Sequence, residues 1–177
     1  MKNLREFLIP YVGLKVGIHR FEYQITGDFF SFFPDSLISE CSVNVKLELE
    51  KKETFFMLNF FIDGAVRAAC DLCLEPFNKE IFGDYQCLVK FSEELAKGAN
   101  DDDEIVYISR ESDFIDVAPL IYDYINVCIP IQLWGCNDPG KEPQCNQTVL
   151  KHLNNEEGKG KNDADPRWEG LKDFNKN

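Results

Sequence analysis

The residues with the most chemistry to offer are thiols. The stretch VRAACDLCLEPF, residues 66–77, sets Cys70 and Cys73 two residues apart directly after an apolar, strand-like run. A C-x2-C turn between strands is the geometry of a zinc knuckle, and a second pair of ligands must close the tetrahedral site. Cys136 and Cys145 are the candidates for that pair, although they stand wider apart than a usual knuckle and a Gly- and Pro-containing loop joins them. The candidate metal ligands are therefore Cys70, Cys73, Cys136 and Cys145, with zinc as the metal. Packed thiols without a metal are the competing reading, and the sequence leaves the two open. Thioredoxin-like redox chemistry is disfavoured, because that motif opens a helix in a βαβ context, and no such context exists here.

Other chemistry is thin. The histidines are His19 and His152, and there is no G-x-S-x-G, no phosphate-binding glycine loop and no H-E-x-x-H. His19 lies on an alternating strand and is expected to border the core. The acidic run from Asp101 to Glu104 lacks the alternating ligands and turn glycine of a calcium loop, so it reads as solvated. No catalytic and no cofactor-binding residue is assigned, and the chain is expected not to be an enzyme. Cys41, Cys87 and Cys128 fall on predicted core faces and are read as small buried hydrophobes.

The composition decides what can hold such a turn in place. With 177 residues, 44% hydrophobic and 13% aromatic, the chain can build its own core. One β-rich domain over residues 1–150 is expected, followed by a polar, partly flexible tail over 151–177. No run of about 18 apolar residues is present to span a bilayer. Arg5 and Glu6 interrupt any apolar signal core, so the cytoplasm is the expected compartment, where thiols stay reduced. A net charge of -12 argues against an electrostatic grip on phosphate backbones by the chain as a whole.

Several segments carry period-two patterns. Two short strands with a turn are expected over LREFLIPYVGLKVGIHRFEYQI. The phenylalanines 29, 30, 32 and 33 are expected to fold over the sheet as a lid. In CSVNVKLELE, Cys41, Val43, Val45, Leu47 and Leu49 face inward and their polar neighbours face water. The next run, TFFMLNFFIDGAVRAA, is apolar on both faces and reads as a central strand, with a bulge or bend at Gly64. Ile81, Tyr85, Cys87, Val89 and Phe91 continue the inner face beyond the thiol pair, which makes C-x2-C the link between two antiparallel neighbours. A short strand, IVYIS, follows the acidic linker.

The period then changes to 3.6. Val117, Leu120, Ile121, Tyr124 and Cys128 define an amphipathic helix over 116–128, with Asp116 as N-cap, Pro119 in the first turn and Pro130 beyond its end. TVLKHLNN suggests a short helix, and DPRWEGLKDF could form another through Trp168, Leu171 and Phe174. The fold class is α+β: an antiparallel β-rich meander over residues 4–108, one packed amphipathic helix and a short helical C-terminal tail.

In this order, CDLCLEPF with its following strand, IDVAPLIYDYINVCIP, a Cys-bearing loop and DPRWEGLKDF resemble the YceD family of bacterial large ribosomal RNA subunit accumulation proteins, over residues 66–174. The resemblance implies a role in the synthesis, processing or stability of large-subunit ribosomal RNA, and thus in ribosome assembly, with no enzymatic activity established. Cys70 and Cys73 match the family's thiol pair, and the later loop matches loosely. Given the acidic charge, the expected partner is a ribosomal protein or assembly factor, met through the tail helix or the aromatic patch. Direct nucleic-acid contact stays open, and no membrane is expected. The rival reading is a zinc-stabilised protein–protein interaction module unrelated to ribosomes.

Overall fold

The computed structural model describes residues 4–92, 105–135, 146 and 148–152. A 3-10 turn, Leu4–Phe7, leads into β1 (Leu8–Pro10), β2 (Gly17–Thr26), the one-turn α1 (Gly27–Phe30), β3 (Cys41–Lys51), β4 (Phe55–Ala69), β5 (Pro76–Phe91), β6 (Ile105–Ile108), β7 (Phe114–Asp116) and α2 (Ala118–Cys128). A five-stranded sheet runs in the order β2-β3-β4-β5-β6, and β1 pairs with β7 in a separate two-stranded ribbon. This is an α+β fold. None of the described helices is long and apolar enough to cross a membrane.

The alternation in the sequence becomes the two faces of this sheet. Val43, Val45, Leu47 and Leu49 of β3 are fully buried, and across the central β4 so are Leu58 and Phe60. Register stacks them: Leu47 lies opposite Phe60, and Leu58 opposite Cys87. On this face α2 buries Ile121 and Ile125. The Tyr124 ring meets Phe60 at 5.1 Å between centroids and stacks on Tyr85 at 4.6 Å. The lid forms from α1: Phe29 and Phe30 are buried and Phe33 stacks on Tyr122 at 4.1 Å, while Phe32 faces out.

Four expectations need correction. The strands are not a pure antiparallel meander, because β6 runs parallel to β5, which the long linker between Phe91 and Ile105 permits. β1 pairs not with β2 but with β7, a contact between residues about a hundred positions apart that no local pattern announces. Gly64 is no bulge: pairing runs through it without interruption, and it is needed because any Cβ would stand 2.6 Å from Val43 Cα at a φ of 155°. The helix starts at Ala118 rather than Asp116, which ends β7, yet Asp116 Oδ1 still accepts the Ala118 N–H at 3.0 Å. Its buried stripe includes Ile125, where the sequence pattern had favoured the flanking Tyr124.

Candidate functional site

The long β4–β5 hairpin runs past the sheet until its last pair, Ala69 opposite Pro76, and the thiol pair sits in the turn beyond. That turn closes on itself: the Cys70 N–H donates to Glu75 O at 3.0 Å, and the Leu74 N–H to Cys70 O at 2.8 Å. Closure forces Leu74 into the left-handed region at a φ of 61°. Both cysteines are buried and both are free thiols. With Phe77 they form a small cluster separate from the main core, covered by Ala68, Leu133, Val149 and Leu150.

The electrostatics of this turn differ from those of a packed thiol. Burial pushes the Cys70 thiol up, but the backbone N–H groups of Cys73, Leu72 and Gly135 and the thiol of Cys73 all point at its sulfur, and the net direction is down. Backbone N–H groups on a cysteine sulfur stabilise the thiolate, the form that binds metal. Cys41, Cys87 and Cys128 behave in the opposite way. Burial raises Cys41 and Cys87 to about 11, and burial also raises Cys128, whose thiol lies 3.5 Å from Tyr85 Oη. Cys87 lies in the core as predicted, whereas Cys41 and Cys128 are half-buried and pack against it.

Two chain segments from the far side of the sequence brace the turn. The Asp71 N–H donates to Leu133 O at 2.8 Å, and Asp71 Oδ2 accepts the Leu133 N–H at 2.7 Å. Gly135 lies against Phe77, where a Cβ would come within 3.0 Å of the ring. Asn146 Nδ2 donates to Glu75 Oε1 at 3.1 Å, and Asn146 Oδ1 accepts the Thr148 N–H at 3.0 Å, capping the helical turn at 148–152. Cys136 and Cys145 lie outside the described residues, and no group of three or more metal-ligating side chains occurs among the described ones. The described half of the candidate site therefore consists of Cys70 and Cys73. His19 stands far along β2 from this turn in the pairing order, half-buried, with Nε2 2.8 Å from Lys15 O.

Sequence reasoning missed the apolar surface around the thiols. Leu72 and Leu74 are exposed in the turn, Leu37 is exposed beside Asp71 and Leu133, and Ile131 is exposed in the chain leading to Leu133. A signal was present: two leucines occupy turn positions where Gly, Asn, Asp or Ser are usual.

A family model described as "Large ribosomal RNA subunit accumulation protein YceD" matches residues 58–175. The chain belongs to the YceD family. The match begins inside β4 and takes in the thiol turn, β5, β6, β7 and α2, and it leaves out β1 to β3. No curated protein and no solved structure gives a significant match.

Proposed function

We propose that this YceD-family protein supports the synthesis, processing or stability of large-subunit ribosomal RNA as a non-enzymatic, cytoplasmic assembly factor that binds a ribosomal protein or another assembly factor. The observation that carries the reading is the family match over residues 58–175, which encloses the thiol turn and α2. The net charge of -12 favours a protein partner over direct coating of RNA, since phosphate contacts require clustered Lys and Arg. Depleting the protein should lower the ratio of large-subunit to small-subunit RNA, with precursor accumulation in the ribosomal particle profile. An unchanged ratio would contradict the reading, and tight binding of ribosomal RNA by the pure protein at physiological salt would contradict the protein-mediated route.

A specific observation also favours a structural zinc ion on Cys70, Cys73, Cys136 and Cys145. The sulfur of Cys70 already gathers backbone N–H donors from Leu72, Cys73 and Gly135, as a knuckle thiolate requires. Gly135, which precedes Cys136 in the sequence, lies against Phe77, and Asn146, which follows Cys145, bonds Glu75. Zinc would cross-link the hairpin turn to the segment after α2, and it supplies no reaction. Elemental analysis of protein purified without chelator should give about one zinc per chain, lost in Cys70→Ser and Cys73→Ser. Metal-free protein with an intact turn would leave the thiols as packing residues.

A further inference from the structure

We propose that the thiol-turn end of the molecule is a docking surface for a basic protein segment that inserts an apolar side chain, which rests on the reading of the protein as a binder of an assembly partner. A cavity of about 480 Å³ opens there between the Leu37–Ile38 loop, the end of β4 at Val66 and Ala68, and the chain after α2 at Ile129 and Leu133. Leu37 of its lining is 98% exposed, and the chain next to the lining residues Asn126, Ile129 and Asp71 leaves Val127 67%, Ile131 100% and Leu74 76% exposed. Single exposed apolar residues are ordinary, but a group of them around a concave apolar cleft marks an interaction site. Leu74 adds a second sign, since a leucine held in the left-handed region pays a conformational cost that no burial of its own side chain repays.

The charge around the cleft selects the partner. Asp71 forms part of its wall, held there by the Leu133 N–H. Glu75 follows Leu74, Asp35 and Glu40 flank the Leu37–Ile38 pair, and Asp123 stands one turn before the cleft residue Asn126 on the same face of α2. All five carboxylates are on exposed residues, and the one cation in the lining is Arg67, whose Nη1 is 3.3 Å from Asn78 Oδ1. Such a rim repels phosphate backbones. It equally opposes a two-fold contact between copies, which would set the same acidic rim against itself. A segment with Lys and Arg flanking a large apolar residue satisfies both the cleft and the rim, and the apolar residue is the anchor.

The other exposed aromatic site lacks this combination. Phe82 and Phe61 lie on the outer face of the sheet, where Phe61 has Lys46 and Asp84 as its cross-strand neighbours and Phe82 has Asp63. That surface carries both signs of charge.

Photo-cross-linking on the full chain tests the proposal. A benzoylphenylalanine at position 131, or at position 82 as control, is offered RNA-free large-subunit proteins in one reaction and large-subunit RNA in another. The expected result is adducts at 131 with Lys- and Arg-rich segments containing an apolar residue, at a yield about tenfold above that at 82. Leu37→Ser with Leu74→Ser should abolish them, and Asp71→Asn with Glu75→Gln should reduce them and weaken their salt dependence. Equal yields at both positions, adducts to RNA or to a second copy, or no adduct would overturn the proposal. If large-subunit RNA still falls on depletion, such a failure removes this surface alone; an unchanged RNA ratio removes the functional reading itself.

Discussion

The two ends of the β4–β5 hairpin are held by different physics. Towards the sheet, the hairpin lies in a dry core where Leu58, Phe60, Cys87 and Val89 are sealed between β3 and α2. At the other end, Cys70, Cys73 and Phe77 make a cluster too small to stabilise a turn by area alone, and hydrogen bonds with Leu133 and Asn146 hold it instead. The first region makes the fold, and the second presents a rigid but exposed device. Apolar burial of about 25 cal/mol per Å² favours whatever covers the most area, so the small cluster must depend on directional bonds or on a metal.

The largest test of this contrast lies in the core. Phe60→Ala should cost about 3–5 kcal/mol, because Phe60 is fully buried against Tyr124, and urea unfolding would measure the loss. Gly64→Ala should come next, at about 1–3 kcal/mol, since the new Cβ strikes the β3 backbone. At the thiol turn the expected change is local. A chelator, or Cys73→Ser, should speed amide exchange at residues 71–75 and leave the centres of β3 and β4 protected. Uniform acceleration along the whole sheet would show that the two regions form one cooperative unit.

Titration separates the regions as well. Burial raises Cys41 and Cys87 to about 11, and Tyr23 to about 12; the hydrogen bond its O–H makes with Cys128 Sγ, together with burial, raises Tyr85 to about 12. Each folded-state value exceeds the ordinary one, so the folded chain keeps these protons longer than the unfolded chain. Their contribution is whole below about pH 9 and is lost as the pH rises through about 11 to 12. The urea midpoint should hold steady from neutral pH to about pH 9 and fall above it, and Cys41 and Cys87 should resist alkylation at neutral pH. The smallest effect belongs to Leu74→Gly, which relieves the left-handed strain at a cost in chain entropy. It should stabilise the protein by about 0.5 kcal/mol while lowering cross-linking at position 131, so stability and docking move in opposite directions.

What could be read from the sequence follows the range of the forces involved. Alternation located β2 to β5 and their inner faces, because a strand half in water must alternate, and the 3.6 period located α2 to within a turn. Pairing of β1 with β7 and the parallel entry of β6 left no local trace. The thiol pair announced a turn, and the pattern placed it between antiparallel neighbours, as found. The Asp71–Leu133 exchange and the apolar cleft were not legible, since Leu37 meets the end of β4, Ile129 and Leu133 only after β4, α2 and the chain beyond it are in place.

The most direct test of the account measures the ratio of large-subunit to small-subunit RNA in depleted cells carrying one of three replacements: wild type, the outer-face variant Phe82→Ser, or the cleft-rim variant Leu37→Ser with Ile131→Ser. The account predicts that depletion lowers the ratio, that wild type and Phe82→Ser restore it, and that the rim variant, folded and equally abundant, does not. Full rescue by the rim variant, or no fall on depletion, would contradict it.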